Sequence, residues 1–317
     1  MSSIIEQATR RLEELKRAGI DVPNWDMGTP EPAASPPRDA RRGPAVREAP
    51  TREAFAREPD PALPTGRSLV QLEQRQSRSV ELDLAQLAGA GYLVPGSPRS
   101  TLADEMRAIK QPLLKSARAD AAAPIRHGNL IMLTSALPGE GKTFCAVNLA
   151  LSIASEVDSS VLLVDADVVR PALLQRLGLA GSYKGLLDLL TEPTLDLSEV
   201  ILKTDVPKLS VIPAGTPRPN ATELLASMTM QQLLEDISSR YADRIVIFDA
   251  PPLLPTTESR VLAEHMGQIL MVVNEGVTSR AELTQAYTSL QSCPIVLSML
   301  NRSTNPQERR QYGYAEL

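Results

Sequence analysis

The sequence predicts an α/β fold, a doubly wound and mostly parallel sheet with helices on both faces. Short apolar runs alternate along the chain with longer segments of helical periodicity, which is the order of elements in such folds. The runs at 130–133, 161–164 and 245–248 are apolar throughout. Strands of this kind are buried on both faces, as they are in a parallel sheet covered by helices.

The predicted elements follow one another without an internal repeat, which argues against a repeat protein. They are a helix from Ser100, a strand at 130–133, a helix at 142–156, a strand at 161–165, a helix after Pro171, a strand at 209–213, a helix at 229–240, strands at 244–249 and 268–273, a helix at 279–291 and a strand at 295–300. The chain of 317 residues is long enough for one large domain with appendages. We place that domain at residues 79–300.

Residues 132–143 read Met-Leu-Thr-Ser-Ala-Leu-Pro-Gly-Glu-Gly-Lys-Thr, between a predicted strand and an alanine-rich helix. This context is typical of a phosphate-binding loop, in which glycines let the backbone N–H groups approach the phosphates. Lys142 would reach the β- and γ-phosphates, and the Thr143 hydroxyl would ligate Mg²⁺. Ala136 replaces the first glycine of the general pattern. The residues predicted to bind the nucleotide are Pro138, Gly139, Glu140, Gly141, Lys142, Thr143 and Phe144.

Carboxylates end two of the predicted strands. Asp165 and Asp167 follow Val-Leu-Leu-Val, and Asp249 follows Ile-Val-Ile-Phe. Ligands of parallel sheets bind beyond the carboxyl ends of the strands, so these three side chains should converge with the phosphate loop at one edge. Each Asp alone could instead cap a strand or a following helix. Three aspartates at strand ends, next to a phosphate loop, instead favour a site for phosphoryl transfer. That reaction needs the phosphate charge to be neutralised and the reacting groups to be positioned.

Together these segments resemble the bacterial tyrosine kinase family. Pro-Gly-Glu-Gly-Lys-Thr, Asp-Ala-Asp and Phe-Asp-Ala-Pro-Pro correspond to its Walker A, Walker A′ and Walker B motifs. The resemblance implies a P-loop NTPase fold and an ATP-dependent tyrosine autokinase that uses Mg²⁺. It implies that Lys142 and Thr143 hold the phosphates and Mg²⁺, and that Asp167 and Asp249 lie on the Mg²⁺ side. Asp165 would accept the tyrosine proton, so that Lys142 and Asp165 are the predicted catalytic residues.

The opening Ser-Ile-Ile-Glu-Gln-Ala and the ending Gln-Tyr-Gly-Tyr are similar to one branch of that family. The branch contains the stand-alone tyrosine autokinases of exosortase-linked exopolysaccharide loci. This implies regulation of exopolysaccharide synthesis and export, with a separate membrane co-polymerase of the chain-length type as activator and a tyrosine phosphatase as partner. One departure concerns a basic residue that the family carries two positions after the second Asp. Here that position is Val169, and the nearest arginine is Arg170.

Two features bear on self-association. Tyr312 and Tyr314 lie in a polar tail, 301–317, and are the predicted phosphorylation sites. Extended from Asn301 to Tyr314, the tail would span about 45 Å, enough to reach a neighbouring subunit.

The second feature is the helix from Ser100. Asp104, Arg107 and Lys110 are spaced to share one face of it, where the family often has Glu-x-x-Arg-x-x-Arg for subunit contacts in a ring. The resemblance implies a homo-oligomeric ring with transfer between subunits, although an ordinary solvated face is the alternative.

Upstream, residues 1–20 predict an amphipathic docking helix, with a capping box at Ser3 and Glu6 and a terminating Gly19. Residues 21–78 are rich in Pro, Ala, Arg and Glu, and we expect them to be a disordered linker. The helix could dock on a partner or on the membrane surface, or pack on the chain's own core.

Composition limits the other function classes. The net charge of −5 without a basic stripe argues against a nucleic-acid partner. The two cysteines, Cys145 and Cys293, lie in apolar stretches, as reduced core residues do. His127 and His265 lack metal-ligand spacing. No membrane span or signal peptide is recognisable, so we expect a cytoplasmic protein that a partner recruits to the inner face of the membrane.

Two alternatives stay open. A partitioning or septum-positioning ATPase of the deviant Walker type would share the fold, but its loop carries an extra lysine where this chain has Leu137. A non-catalytic nucleotide-binding regulator would not need Lys142 and the carboxylates intact.

Overall fold

In the computed structural model, which describes residues 77–117 and 125–304, eight strands form one sheet. They are β1 (Arg78–Val80), β2 (Leu130–Ser135), β3 (Ser160–Asp165), β4 (Leu202–Thr204), β5 (Leu209–Ile212), β6 (Arg244–Asp249), β7 (Gln268–Asn274) and β8 (Ile295–Asn301). Their order across the sheet is β1-β4-β5-β3-β6-β2-β7-β8. All neighbours are parallel except β4 and β5, which form an antiparallel pair.

Helices cover both faces of this sheet. Those of the described ranges are Leu84–Gly89, Thr101–Ala117, Lys142–Ala154, Leu173–Arg176, Leu186–Thr191, Leu197–Val200, Ala221–Leu225, Met228–Arg240, Glu258–Ala263 and Arg280–Thr288. Along β2, Leu130 and Met132 pack into one apolar cluster, whereas Ile131 and Leu133 pack into the other. Because successive side chains of a strand point to opposite faces, the two clusters are two cores, one on each side of the sheet. The predicted doubly wound α/β fold is confirmed.

The register of the central strands fixes the position of the carboxylates. Asp165 at the end of β3 lies directly opposite Asp249 at the end of β6, and Leu133 of β2 lies opposite Asp249 on its other side. The chain leaves β2 two residues later, at Ser135, and enters the phosphate loop. The loop and both carboxylates therefore meet at the carboxyl edge of the sheet, as the sequence predicts.

Several short elements were not predicted. β1 and β4 have three residues each. Five helices, Leu84–Gly89, Leu186–Thr191, Leu197–Val200, Ala221–Leu225 and Glu258–Ala263, have only four to six residues, too few for a periodic pattern to be visible. Arg78, the last residue of the predicted linker, already pairs with Leu202 in the sheet. Residues 21–76 of that linker, the predicted helix 1–20, and Tyr312 and Tyr314 lie outside the described residues. In the part of the chain that the structure describes, no helix combines the length and the apolar character that crossing a membrane requires.

The prediction that Asp104, Arg107 and Lys110 share one exposed face of the helix Thr101–Ala117 is wrong for Lys110. Asp104 and Arg107 are exposed, and their side chains lie 3.9 Å apart. Lys110 is buried instead: its Nζ donates to the carbonyl oxygen of Ser152 at 2.6 Å and pairs with Glu156 at 2.5 Å. The spacing of three and six residues rotates Lys110 far enough round the helix to face the protein.

The position of Lys110 has a structural reason. Ser152 lies in the last turn of the helix Lys142–Ala154, whose carbonyl groups carry the negative end of the helix dipole. A cation there satisfies a carbonyl and is electrostatically favourable. Lys110 therefore fastens the helix Thr101–Ala117 to the far end of the helix that begins at the phosphate loop.

We expect Lys110→Met to lower the free energy of unfolding by about 2 kcal/mol, because a buried charge-assisted hydrogen bond is lost. Lys115→Met, on the exposed side of the same helix, is the matched control and should change it by less than about 0.5 kcal/mol. Urea unfolding of both variants measures the difference. Equal stability of the two would show that the Lys110 contacts contribute nothing.

Candidate active site

The phosphate loop has the backbone conformation that the sequence predicts. Gly139 and Gly141 have φ angles of 79° and 97°, in the left-handed region that favours glycine. Gly141 is the N-cap of the helix Lys142–Ala154 and offers no side chain to the first turn. The backbone N–H groups of that turn are therefore available to bind an anion. The positive end of the helix dipole also favours an anion at this position.

Glu140 braces the loop from inside. Its side chain is buried, and one carboxylate oxygen accepts a hydrogen bond of 2.9 Å from the backbone N–H of Leu137. The other oxygen accepts from the hydroxyl of Thr278, which itself accepts from the N–H of Asn274 at the end of β7. Glu140 was predicted to bind the nucleotide, but its carboxylate is used to shape the loop.

Asn301, the last residue of β8, holds the loop from the other side. Its side-chain amide donates to the carbonyl oxygen of Glu140 at 2.8 Å, and its own side-chain oxygen accepts from the N–H of Arg302. A Cβ added to Gly141 would lie 2.2 Å from the Asn301 amide nitrogen. The left-handed φ therefore favours glycine at this position, and a larger residue would also displace the Asn301 amide from the loop.

The remaining loop residues differ in what they can contribute. Pro138 is exposed at the tip, and Lys142 is largely buried within the site. The ring of Phe144 lies 4.9 Å from that of Tyr92 and packs with one of the two cores. Its side chain is thereby committed to packing.

Asp165 and Asp249 are both buried, with about 1 % of their surfaces exposed. One oxygen of Asp165 accepts a hydrogen bond of 3.2 Å from the N–H of Leu173. The other oxygen of Asp165 and both oxygens of Asp249 have no hydrogen-bond partner within the described part of the chain. Buried polar atoms without partners are costly, so this edge of the sheet is built to receive a further group.

The pKa values of these carboxyl groups reflect that environment. Burial raises the pKa of Asp249 to about 7, while the nearby Thr143 hydroxyl and the Lys142 ammonium oppose the shift. Burial, and then the charge of Asp249, raise the pKa of Asp165 well above its ordinary value. Each ionised carboxylate thus destabilises the other, and a cation placed between them would relieve both.

Asp167 is only partly buried. Its Oδ1 accepts a hydrogen bond of 3.2 Å from the backbone N–H of Arg170. Burial raises the pKa of Asp167, and the positive charges of Lys142 and Arg170 act in the opposite direction. The exposed Arg170 therefore acts on this carboxylate through its charge, although it stands one position later than the basic residue of the family pattern.

The donor set fits Mg²⁺ held together with phosphate oxygens. Among the described residues, no three His, Cys, Asp or Glu side chains lie close enough together to bind a metal on their own. Mg²⁺ is commonly bound through one or two carboxylates, with phosphate oxygens and water completing its octahedron. The unpartnered oxygens of Asp249, with Thr143 beside them, have the chemistry for such a site.

The structure also places the other residues that the sequence singles out. Cys145 is buried and Cys293 half-buried, and both are free thiols. His127 lies between the carbonyl oxygen of His265, 3.0 Å from Nδ1, and the carboxylate of Glu235, 2.9 Å from Nε2. These contacts give His127 a structural role at the opposite edge of the sheet.

Sequence reasoning missed Thr278 and Asn301 as parts of the site. Asn301 directly follows the apolar run predicted as a strand at 295–300, and a polar residue at a strand end is a signal that could have indicated it. Thr278 carries no such signal, since it lies in a loop.

Comparison with known proteins connects this site to a family. A family described as an AAA domain matches residues 128–292, more than half of the chain. The crystal structure of the VpsO kinase domain is 32% identical, with a TM-score of 0.55, and the match covers 95% of that domain and 64% of this chain. The chain belongs to this AAA-domain family and, within it, to the bacterial tyrosine kinases.

Two further relatives differ in how much of them is matched. The tyrosine-protein kinase YwqD of Bacillus subtilis is 28% identical over 218 residues, which are 68% of this chain and 87% of YwqD. The tyrosine-protein kinase Wzc of Salmonella typhimurium is 32% identical over 196 residues, which are 60% of this chain and 26% of Wzc. This chain therefore spans most of YwqD but only about a quarter of Wzc.

We expect Asn301→Ala to weaken ADP binding about fivefold, because losing one hydrogen bond of about 1 kcal/mol loosens the phosphate loop. Asn220→Ala is the matched control, since Asn220 is exposed and its side chain makes no capping hydrogen bond. Titration with a fluorescent ADP analogue in the presence of Mg²⁺ compares them. Unchanged affinity in Asn301→Ala would show that the loop holds its shape without this brace.

Proposed function

We propose that the protein is an ATP-dependent protein-tyrosine kinase that phosphorylates its own C-terminal tyrosines, Tyr312 and Tyr314. The observation that carries this is the convergence, at one sheet edge, of a braced phosphate loop with two buried carboxylates, three of whose four oxygens have no hydrogen-bond partner among the described residues. The bacterial tyrosine kinase family of the chain supports the same reaction.

The residues of the site have distinct tasks in this reaction. The first-turn N–H groups and Lys142 bind the phosphates, and Lys142 supplies positive charge where negative charge develops. Thr143, Asp167 and Asp249 would hold Mg²⁺, which neutralises phosphate charge when it is bound with ATP. The roles of these five groups follow from their placement around the start of one helix.

Asp165 is the proposed base. A tyrosine hydroxyl has an ordinary pKa of about 10 and is a poor nucleophile near neutral pH. A carboxylate within hydrogen-bond reach can take its proton as the bond to phosphorus forms. Asp165 has one oxygen fixed by the N–H of Leu173 and the other free, so the free oxygen is held in a defined direction. Cations bound beside it would lower its pKa and keep it ionised.

The biological setting is proposed on the family resemblance. We infer regulation of exopolysaccharide synthesis and export, assembly into a ring, and recruitment to the inner face of the membrane by a separate co-polymerase of the chain-length type. A tyrosine phosphatase would reverse the modification. With Lys110 buried, Asp104 and Arg107 remain as the exposed charges of the proposed ring contact.

A partitioning ATPase is the weaker alternative. Leu137 stands where that class carries its extra lysine, and the Leu137 N–H is occupied by Glu140. The relatives compared above are named as tyrosine kinases.

We expect Lys142→Met to abolish phosphotyrosine formation while the protein keeps its fold, because Lys142 is the proposed source of positive charge at the γ-phosphate. Lys115→Met should retain wild-type activity. Anti-phosphotyrosine detection after incubation with Mg-ATP, together with thermal melts, measures both properties. Wild-type phosphorylation in Lys142→Met would overturn the proposed function.

The same variant tests transfer between subunits. We would mix Lys142→Met, which keeps its tyrosines, with a chain that keeps Lys142 but carries Tyr312→Phe and Tyr314→Phe. Phosphotyrosine on the Lys142→Met chain is the result expected from a ring. If that chain stays unmodified while the wild type phosphorylates itself, transfer occurs within one subunit.

A further inference from the structure

Strand β8 forms one edge of the sheet, and no strand of the described chain pairs with its outer side. It has seven residues, Ile295–Asn301, whereas the strand at the other edge, β1, has only three. β8 contains no charged residue and no proline, and its register with β7 runs without a bulge. Natural edge strands are normally protected from further pairing by such features or by being short. The outer side of β8 is therefore open to pairing with another strand.

The hydrogen bonds of β8 show which of its backbone groups face outward. The carbonyl oxygen of Asn301 accepts a hydrogen bond from the N–H of Glu275, so the backbone groups of Asn301 face β7. Because successive residues of a strand direct their backbone groups to alternate sides, Val296, Ser298 and Leu300 direct theirs away from the sheet. Within the described ranges, the N–H and carbonyl groups of these three residues have no hydrogen-bond partner.

The surface around this edge carries no charge. Residues 283–301 include no Asp, Glu, Lys or Arg, although these types make up 22% of the chain. The stretch covers most of the helix Arg280–Thr288 and all of β8. Tyr287 of that helix is exposed, and its hydroxyl forms a hydrogen bond with that of Ser298, so the helix and the strand form one continuous surface. The cores of protein–protein interfaces are likewise depleted of charged residues and enriched in aromatic ones.

We propose that this surface binds a second copy of the same chain, with the two β8 strands paired antiparallel about a two-fold axis at Ser298. In that register Ser298 lies opposite Ser298 of the second copy, and Val296 lies opposite its Leu300. Every outward N–H of one copy then bonds to an outward carbonyl oxygen of the other. The side chain of Leu300, which is 50% exposed, is covered by Val296 of the second copy as a cross-strand pair.

The other segments of this chain fit the edge less well than a second copy does. The start of the tail turns towards β7, since the N–H of Thr304 donates to the side chain of Glu275 at 2.8 Å, and residues 308–310 read Glu-Arg-Arg. Residues 118–124 span at most about 24 Å, the length of β8 alone, and the chain must return from them to β2. Residues 1–76 join the sheet at β1, about 33 Å away across seven strand spacings. A second copy presents the same uncharged strand without these constraints.

This contact is separate from the ring contact proposed above. The helix Thr101–Ala117, which carries Asp104 and Arg107, packs into one core, whereas the helix Arg280–Thr288 packs into the core on the other face of the sheet. The edge contact has two-fold symmetry and uncharged partners, and it does not require the kinase function. Loss of either contact or of activity is therefore measurable on its own.

Disulfide formation by Ser298→Cys tests the register. Pairing about Ser298 places the two Cα atoms about 5.5 Å apart, a separation that a disulfide bridges. The matched control is Leu300→Cys on the same edge, because each new thiol there would face Val296 of the other copy. Both variants also carry Cys293→Ser, which removes the half-buried native thiol. We expect mild oxidation to link most of the Ser298→Cys chains into dimers on a non-reducing gel and to leave Leu300→Cys monomeric. Equal linkage in the two variants, or none in Ser298→Cys, would overturn the pairing.

Charge at the same position gives a second measurement, which needs no oxidation. Ser298→Lys or Ser298→Glu places like charges directly opposite each other, and each should raise the dissociation constant of the dimer about tenfold. An equimolar mixture of the two variants should associate again, because the paired charges then attract. The exposed Ser239→Lys is the matched control and should associate like the parent chain.

Sedimentation velocity measures this association, and thermal melts verify that each variant is folded. All chains carry Asp104→Ala and Arg107→Ala, so that the proposed ring contact does not contribute. Recovery in the mixture supports pairing of β8 with itself, since no other occupant places two residues 298 together. A parent chain that stays monomeric, or variants that associate as the parent does, would overturn the proposal and leave the edge to the tail of the same chain.

Discussion

The structure depends on one electrostatic constraint, the buried negative charge at the carboxyl edge of the sheet. Parallel pairing places Asp165 opposite Asp249, and three of their four carboxylate oxygens lack partners within the described residues. Burying ionised groups without compensation is costly, so the free protein reduces the cost by raising their pKa values. The positive charge of Lys142 offsets the negative charge of Asp249, and a metal-bound nucleotide would complete the compensation.

Contacts from the surrounding fold hold the phosphate loop in place beside these buried negative charges. Glu140 and Asn301 tie the phosphate loop to the ends of β7 and β8, and Lys110 fixes the other end of the helix that the loop begins. The C-terminal tail starts immediately after Asn301. The root of the tail that carries the proposed phosphorylation sites is thus joined to the phosphate loop by one hydrogen bond.

Much of the fold and of the candidate site could be predicted from the sequence, because the patterns that indicate them lie within short segments of the chain. Uniformly apolar runs predicted the central parallel strands, and Gly139, Gly141, Asp165 and Asp249 carried their roles in the residue type and spacing. Other features depend on contacts between distant segments. The antiparallel pairing of β4 and the contact of Asn301 with the phosphate loop arise only when separate parts of the chain meet. Lys110 shows most clearly what helical spacing cannot predict. The spacing suggested that Lys110 lies on an exposed face, but packing against the helix Lys142–Ala154 buries it.

The most direct test of the charge constraint is the proton balance of Mg²⁺–ADP binding at pH 7. Because the pKa of Asp249 is about 7 without a ligand, part of the population is protonated, and a cation that lowers that pKa must displace protons. Calorimetric titration in buffers of different ionisation enthalpy counts the protons released. We expect net release by the wild type and a smaller release by Asp249→Asn measured at saturating ligand. No release by the wild type, or the same release by both proteins, would contradict the account.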